Sequence, residues 1–183
     1  LQAVQGSELM SHEVTLLAGV HPAVAHLSWM VGSWRGYGVA EFANQPQLAF
    51  EQEVVFDSDG EPSLRYQLRS WLINADKERV EEFRFESGVW SGGENNLVVL
   101  TLEQQDGPSL WSGQAQVAEI VNAIITRAGM KLYGSDSANP STMVPELGVR
   151  SYGLFQQKLL MVHEMGPEDN PTTDKISIMM ERA

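Results

Sequence analysis

From Ser33 onward the chain breaks into short runs rich in Val, Ile, Leu, Phe, Tyr and Trp, separated by Gly, Asn, Asp and Pro. Runs of this length and composition, closed off by turn residues, are strand signals. They fall at 33–42, 48–56, 64–73, 80–87, 97–103, 110–117, 120–127, 130–133, 149–155, 158–165 and 175–181. Asp59-Gly60, Asp106-Gly107-Pro108 and Gly166-Pro167 supply the turn chemistry between consecutive runs, because Gly tolerates positive φ and Asp bonds its own backbone two residues on. Leu64, Tyr66 and Leu68 alternate with Arg65, Gln67 and Arg69, which places one face of that strand inside and the other in water.

One stretch reads as a helix, 21–30, with Pro22 at a first-turn position and Gly32 just past the end. So many strands and so little helix favour closing the sheet on itself, since a barrel has no unpaired edge; an open sandwich has a similar pattern. The expected fold is all-β: a closed antiparallel β-barrel of about ten strands with a short N-terminal helix. At 183 residues, 43% apolar and 20% charged, the chain suits one folded domain. Residues 1–20 are expected to form a mobile leader and 21–183 the barrel. Residues 134–145 and 166–174 read as loops.

Twelve Lys and Arg against 24 Asp and Glu give a net charge of −12, so nucleic acid and anionic membranes are not expected partners. No cysteine is present, which excludes disulfides, thiolate nucleophiles and thiolate metal sites. No window approaches the length of an apolar membrane helix, and a cytoplasmic protein is the simplest expectation. Oligomeric state is not written in the sequence. No G-x-S-x-G elbow, phosphate-cradling glycine loop or H-E-x-x-H occurs, so no catalytic or metal constellation is expected.

The opening strand carries Gly32-Ser33-Trp34-Arg35-Gly36-Tyr37-Gly38, and the chain closes on Glu181-Arg182. This G-x-W resembles the start of calycin barrels, in which an Arg of the last strand stacks over the Trp. The resemblance implies structural roles for Gly32, Trp34, Gly36, Gly38 and Arg182. A guanidinium over an indole adds about 0.5–2 kcal/mol. Within the calycins the chain is similar to the nitrobindin family, barrels built like fatty-acid-binding proteins. The similarity runs in order through 27–38, Glu53-Val54-Val55-Phe56 with Asp59-Gly60-Glu61-Pro62, Leu64-Arg65-Tyr66, a strand containing Glu81, and 175–182.

Haem-binding nitrobindins carry a Tyr-Pro-Thr-Ile segment after the first strand and a His at the start of the last. Here Val39 to Pro46 holds no such tetrad, and the resemblance sets Lys175 at the His position. A protonated amine has no lone pair for iron. No haem is therefore expected, and the leading reading is a haem-free barrel for a small apolar or amphipathic ligand. Two others stand beside it: a haem-dependent peroxynitrite isomerase with an unusual iron ligand, and a barrel filled by its own side chains with a structural or interaction role. The resemblance turns Lys175, Ser177 and Met179 toward the cavity, where Lys175 could meet a ligand carboxylate or be a solvated edge lysine. Apolar periodicity would instead turn Ile176, Ile178 and Met180 inward. His163 reads as outward-facing if Leu160 and Val162 face in; His12, His21 and His26 suggest no site.

Overall fold

Alternating burial along successive short strands has one compact outcome here, a sheet rolled until its two edges meet. In the computed structural model, which describes residues 19–103, 107–136, 138–139, 142–167 and 174–183, ten antiparallel strands do this. They are β1 (Gly32–Glu41), β2 (Leu48–Asp57), β3 (Ser63–Ile73), β4 (Arg79–Gly92), β5 (Leu97–Glu103), β6 (Ser109–Val121), β7 (Ile124–Ser135), β8 (Val149–Phe155), β9 (Lys158–Glu164) and β10 (Lys175–Arg182). Each pairs with its sequence neighbours, and β10 returns to β1 to close the barrel. Of the expected leader, residues 1–18 lie outside the described residues.

The runs expected at 120–127 and 130–133 are instead parts of two longer strands. The turn falls at Asn122-Ala123, in the middle of what reads as one apolar run, and both residues have positive φ, +51° and +61°. That pair suits a two-residue hairpin loop, but the Ala disguises it. The expected helix is a 3-10 segment, Pro22–Met30, whose Val24, Ala25, Leu27, Trp29 and Met30 are buried at one end of the barrel.

At that end the closing pair sets Trp34 directly opposite Arg182. The guanidinium carbon lies 4.3 Å from the indole ring centre and one of its nitrogens donates to the Val31 carbonyl at 2.8 Å. The indole itself donates to Met30 O at 2.8 Å, tying the 3-10 segment to β1. The glycines around Trp34 follow from this closeness. Gly32 has φ +125°, and a side chain there would stand 2.6 Å from Arg182. At Gly36 a Cβ would meet the Met179 carbonyl oxygen at 2.3 Å, and at Gly38 the Phe50 ring at 2.5 Å.

The interior is filled from this floor upward. Phe50, Phe56, Leu64, Leu68, Trp90, Leu100, Leu102, Leu132, Leu159 and Met180 are fully buried in one continuous core. Each such side chain contributes about 1.5–3 kcal/mol on leaving water. Rings of β2, β3, β4 and β8 meet edge-on: Trp90 contacts Phe56 and Tyr66 at 6.0 Å and Tyr152 at 5.0 Å between centroids.

Candidate functional site

The inner wall toward the other end of the barrel turns polar. Glu86 of β4 and Arg150 of β8, far apart in sequence, face each other across the interior, and two guanidinium nitrogens donate to the two carboxylate oxygens at 3.0 and 2.9 Å. Arg84 adds a bond to Glu86 at 2.5 Å and the Tyr66 hydroxyl another at 2.9 Å. Burial alone would raise the Glu86 carboxyl, but the charges of Arg150 and Arg84 outweigh it and hold the group well below the usual range. Burial pushes the Tyr66 and Tyr152 hydroxyls up, so both stay protonated. The cluster of Arg84, Arg150 and Glu86 therefore carries one net positive charge on the inside.

His163 belongs to this cluster. Leu159 and Met161 face in, so alternation carries His163 inward as well, opposite Arg150 and Ile176 in register. The sequence expectation is corrected here: Leu160 and Val162 form the outer face. The ring stands edge-on to Trp111 at 5.4 Å, and Nε2 donates to the Leu147 carbonyl at 3.2 Å when that nitrogen carries the proton. Burial, with Arg150 nearby, lowers its pKa to about 4, and the imidazole is neutral at pH 7.

The candidate residues of β10 also sit otherwise than expected. Ile176, Ile178 and Met180 point inward and are buried, while Met179 is 54% exposed and Ser177 lies on the outer wall beside it. Lys175 reaches outward to Glu164, 3.8 Å away. The reason is energetic. The register assumed for the cavity would send three large apolar side chains into water and a lysine charge into the core.

A cavity of about 10 Å³ lies among Gln52, Arg84, Arg150, Tyr152, Met161, His163, Ile176 and Ile178. That is room for about one water molecule. Gln52 Oε1 and Arg150 Nε, both on its wall and both deeply buried, have no hydrogen-bond partner among the described residues. The Gln52 amide nitrogen faces the sulfurs of Met161 and Met180 at 3.8 and 3.6 Å. A larger depression, about 470 Å³, lies on the outer wall over Gly88, bordered by Val55, Arg65, Val89 and Glu103. No cluster of three or more His, Cys, Asp or Glu able to hold a metal ion occurs among the described residues.

The chain is thus a closed ten-strand antiparallel β-barrel whose first and last strands meet at Trp34 and Arg182. Residues 23–182 match the family model described as "THAP4-like, heme-binding beta-barrel domain", and the chain belongs to that family. It is 27% identical to a ferric nitrobindin-like protein of Streptomyces coelicolor over 82% of this chain and 76% of that protein. It is 26% identical to a peroxynitrite isomerase of a Nocardioides species, over 83% of this chain and 88% of that one. In fold it is similar to the crystal structure of Rv2717c from M. tuberculosis, with a TM-score of 0.70 at 23% identity over 90% of this chain and 99% of that one. This is a nitrobindin-like barrel.

The family description names haem. Beside His163 the interior leaves about 10 Å³. His163 is committed to Leu147 and Trp111, and Lys175 points away from the interior, toward Glu164.

Proposed function

We propose that this chain is a haem-free nitrobindin-like protein whose barrel is a solid scaffold, filled by its own side chains. The observation that carries this is the interior: apolar residues buried to within a few per cent of completely on every strand, and beside the polar cluster space for about one water. The same packing favours the filled barrel over a carrier of apolar or amphipathic ligands. Such ligands bury most of their surface in a preformed pocket, and making one here would mean displacing Phe50, Leu68 or Met180 from close-packed positions. The buried Glu86–Arg150 pair then serves the fold. It fixes β4 to β8 across the interior.

The test is a titration with anilinonaphthalene sulfonate and with a long-chain fatty acid as competitor. The reading expects no saturable one-to-one fluorescence gain at neutral pH. A saturable gain that the fatty acid displaces, and that Gln52→Trp abolishes, would establish a carrier instead.

A further inference from the structure

The polar end of the barrel interior holds more positive charge than its own carboxylate neutralises. Arg84 and Arg150 share Glu86, and His163 is neutral at pH 7. The three charged groups leave one positive charge inside a chain whose total is −12. The Arg150 side chain is 4% exposed and that of Arg84 18%, so bulk water reaches the pair chiefly past Arg84. The cavity of about 10 Å³ lies against these two guanidinium groups, and no carboxylate among the described residues lines it. Much of the remaining wall is apolar, with Met161, Ile176 and Ile178 on it. A charge in such surroundings is costly until an opposite charge meets it.

Two atoms on that wall point to what meets it. Arg150 grips Glu86 through its two terminal nitrogens, which leaves Nε on the far side of the guanidinium carbon from the carboxylate. That Nε is buried on the cavity wall with no partner among the described residues, and so is Gln52 Oε1. The Gln52 amide nitrogen meets two thioethers, 3.8 Å from Met161 Sδ and 3.6 Å from Met180 Sδ. Thioether sulfur is a weak acceptor. A half-turn of the amide therefore loses little, and it brings an N–H into the cavity beside Arg150 Nε. Two converging donors under an excess positive charge select an anion, to which hydrogen bonds are stronger than to a neutral acceptor. Size narrows the class. Space for about one water shuts out carboxylates and polyatomic oxyanions, whereas a halide is a single atom, and the flexible Met161 side chain supplies the little extra room. We propose that the cavity is a halide site, in which one chloride ion accepts from Arg150 Nε and the turned Gln52 amide and balances the Arg84–Glu86–Arg150 cluster. The filled-barrel reading stands beside it, because one ion completes the packing without opening a pocket.

A water molecule is the rival occupant. It would satisfy the same two atoms without the half-turn, donating to Gln52 Oε1 and accepting from Arg150 Nε, but it would leave the excess charge in place. The two occupants differ in what they predict at position 52. Gln52→Glu puts a carboxylate against Arg150 Nε, so the chain supplies its own counter-charge and an anion loses its place. A water would stay.

Urea unfolding at neutral pH in sodium chloride, with sodium gluconate holding ionic strength constant, reads the site through linkage. The expected result is an unfolding equilibrium constant that falls saturably, by about tenfold between no chloride and about 200 mM. In Gln52→Glu this dependence should shrink to less than about twofold, and the variant in gluconate should be as stable as the parent in chloride. Long-wavelength diffraction from parent crystals grown in chloride gives a second reading that needs no variant to fold. It should show an anomalous peak within hydrogen-bonding distance of Arg150 Nε, which a water does not produce. Equal stability in chloride and gluconate, density there without an anomalous signal, or undiminished chloride dependence in folded Q52E would each overturn the inference.

Discussion

Arg150 holds the Glu86 carboxylate through two guanidinium nitrogens, at 3.0 and 2.9 Å, on the inside of the barrel. Both residues are buried, and Glu86 is shared between Arg150 and Arg84. Removing Glu86 leaves Arg150 an uncompensated buried charge, which costs about 3–5 kcal/mol, whereas removing Arg150 leaves Glu86 still paired with Arg84. Glu86→Gln should lower stability by that amount in urea unfolding, Arg150→Met by less, and Glu86→Gln/Arg150→Met should recover part of the Glu86→Gln loss. If R150M unfolds at the parent midpoint, the pair is not what fixes β4 to β8.

His163 makes the barrel acid-sensitive. Its pKa is about 4 in the fold, against an unfolded value near 6.5, so between these pH values the unfolded chain binds more protons. Stability therefore falls as pH drops from 6.5 toward 4, by about 3 kcal/mol at most from this group. His26, also lowered by burial, adds in the same direction. Glu86 acts further down, losing its contribution as pH falls from its unfolded value through its depressed folded one. His163→Gln should flatten the stability profile between pH 6.5 and pH 4 without changing the loss below it. An unchanged slope would place His163 in water.

The floor of the barrel depends on close approach. Gly36→Ala brings a methyl against the Met179 carbonyl, and the β1–β10 seam must shift. Overpacking of this kind costs about 1–3 kcal/mol, or more where backbone is the obstacle. Arg182→Ala loses the indole stack and the Val31 bond, worth about 1–3 kcal/mol together. Both should appear as lower urea midpoints, and Arg182→Lys should restore only part, because an ammonium lacks the planar face. Equal stability of R182K and the parent would reduce the contact to its charge.

Ala123 is strained in the β6–β7 turn, where φ is +61°. Ala123→Gly relieves about 1–2 kcal/mol of steric cost and loses part of that to a freer unfolded chain. A net gain of about 0.5–1 kcal/mol is expected in urea unfolding, and a loss would mean that the methyl packs.

How much of this can be read before folding depends on where periodicity is decisive. In β3, Leu64, Tyr66 and Leu68 alternate cleanly with polar and charged neighbours, and both faces come out as read. The Gly32 to Gly38 motif and Arg182 mark the seam from both ends of the chain. In Leu159-Leu160-Met161-Val162-His163, apolar side chains occupy both parities, so alternation decides nothing, and His163 is misplaced with it. In β10 the periodicity of Ile176, Ile178 and Met180 points to the true inner face, while the family resemblance, shifted by one residue, points to the other. Glu86 and Arg150 give no sign at all. Each sits in a run where a charge reads as surface, and only the closing of the barrel brings them together.

The most direct measurement is titration of the purified protein with ferric haem, followed through the Soret band. A filled interior predicts weak, non-stoichiometric absorbance changes that His163→Ala and Lys175→Ala leave unaltered. A sharp one-to-one Soret transition, abolished by either substitution, would contradict it and put haem inside this barrel.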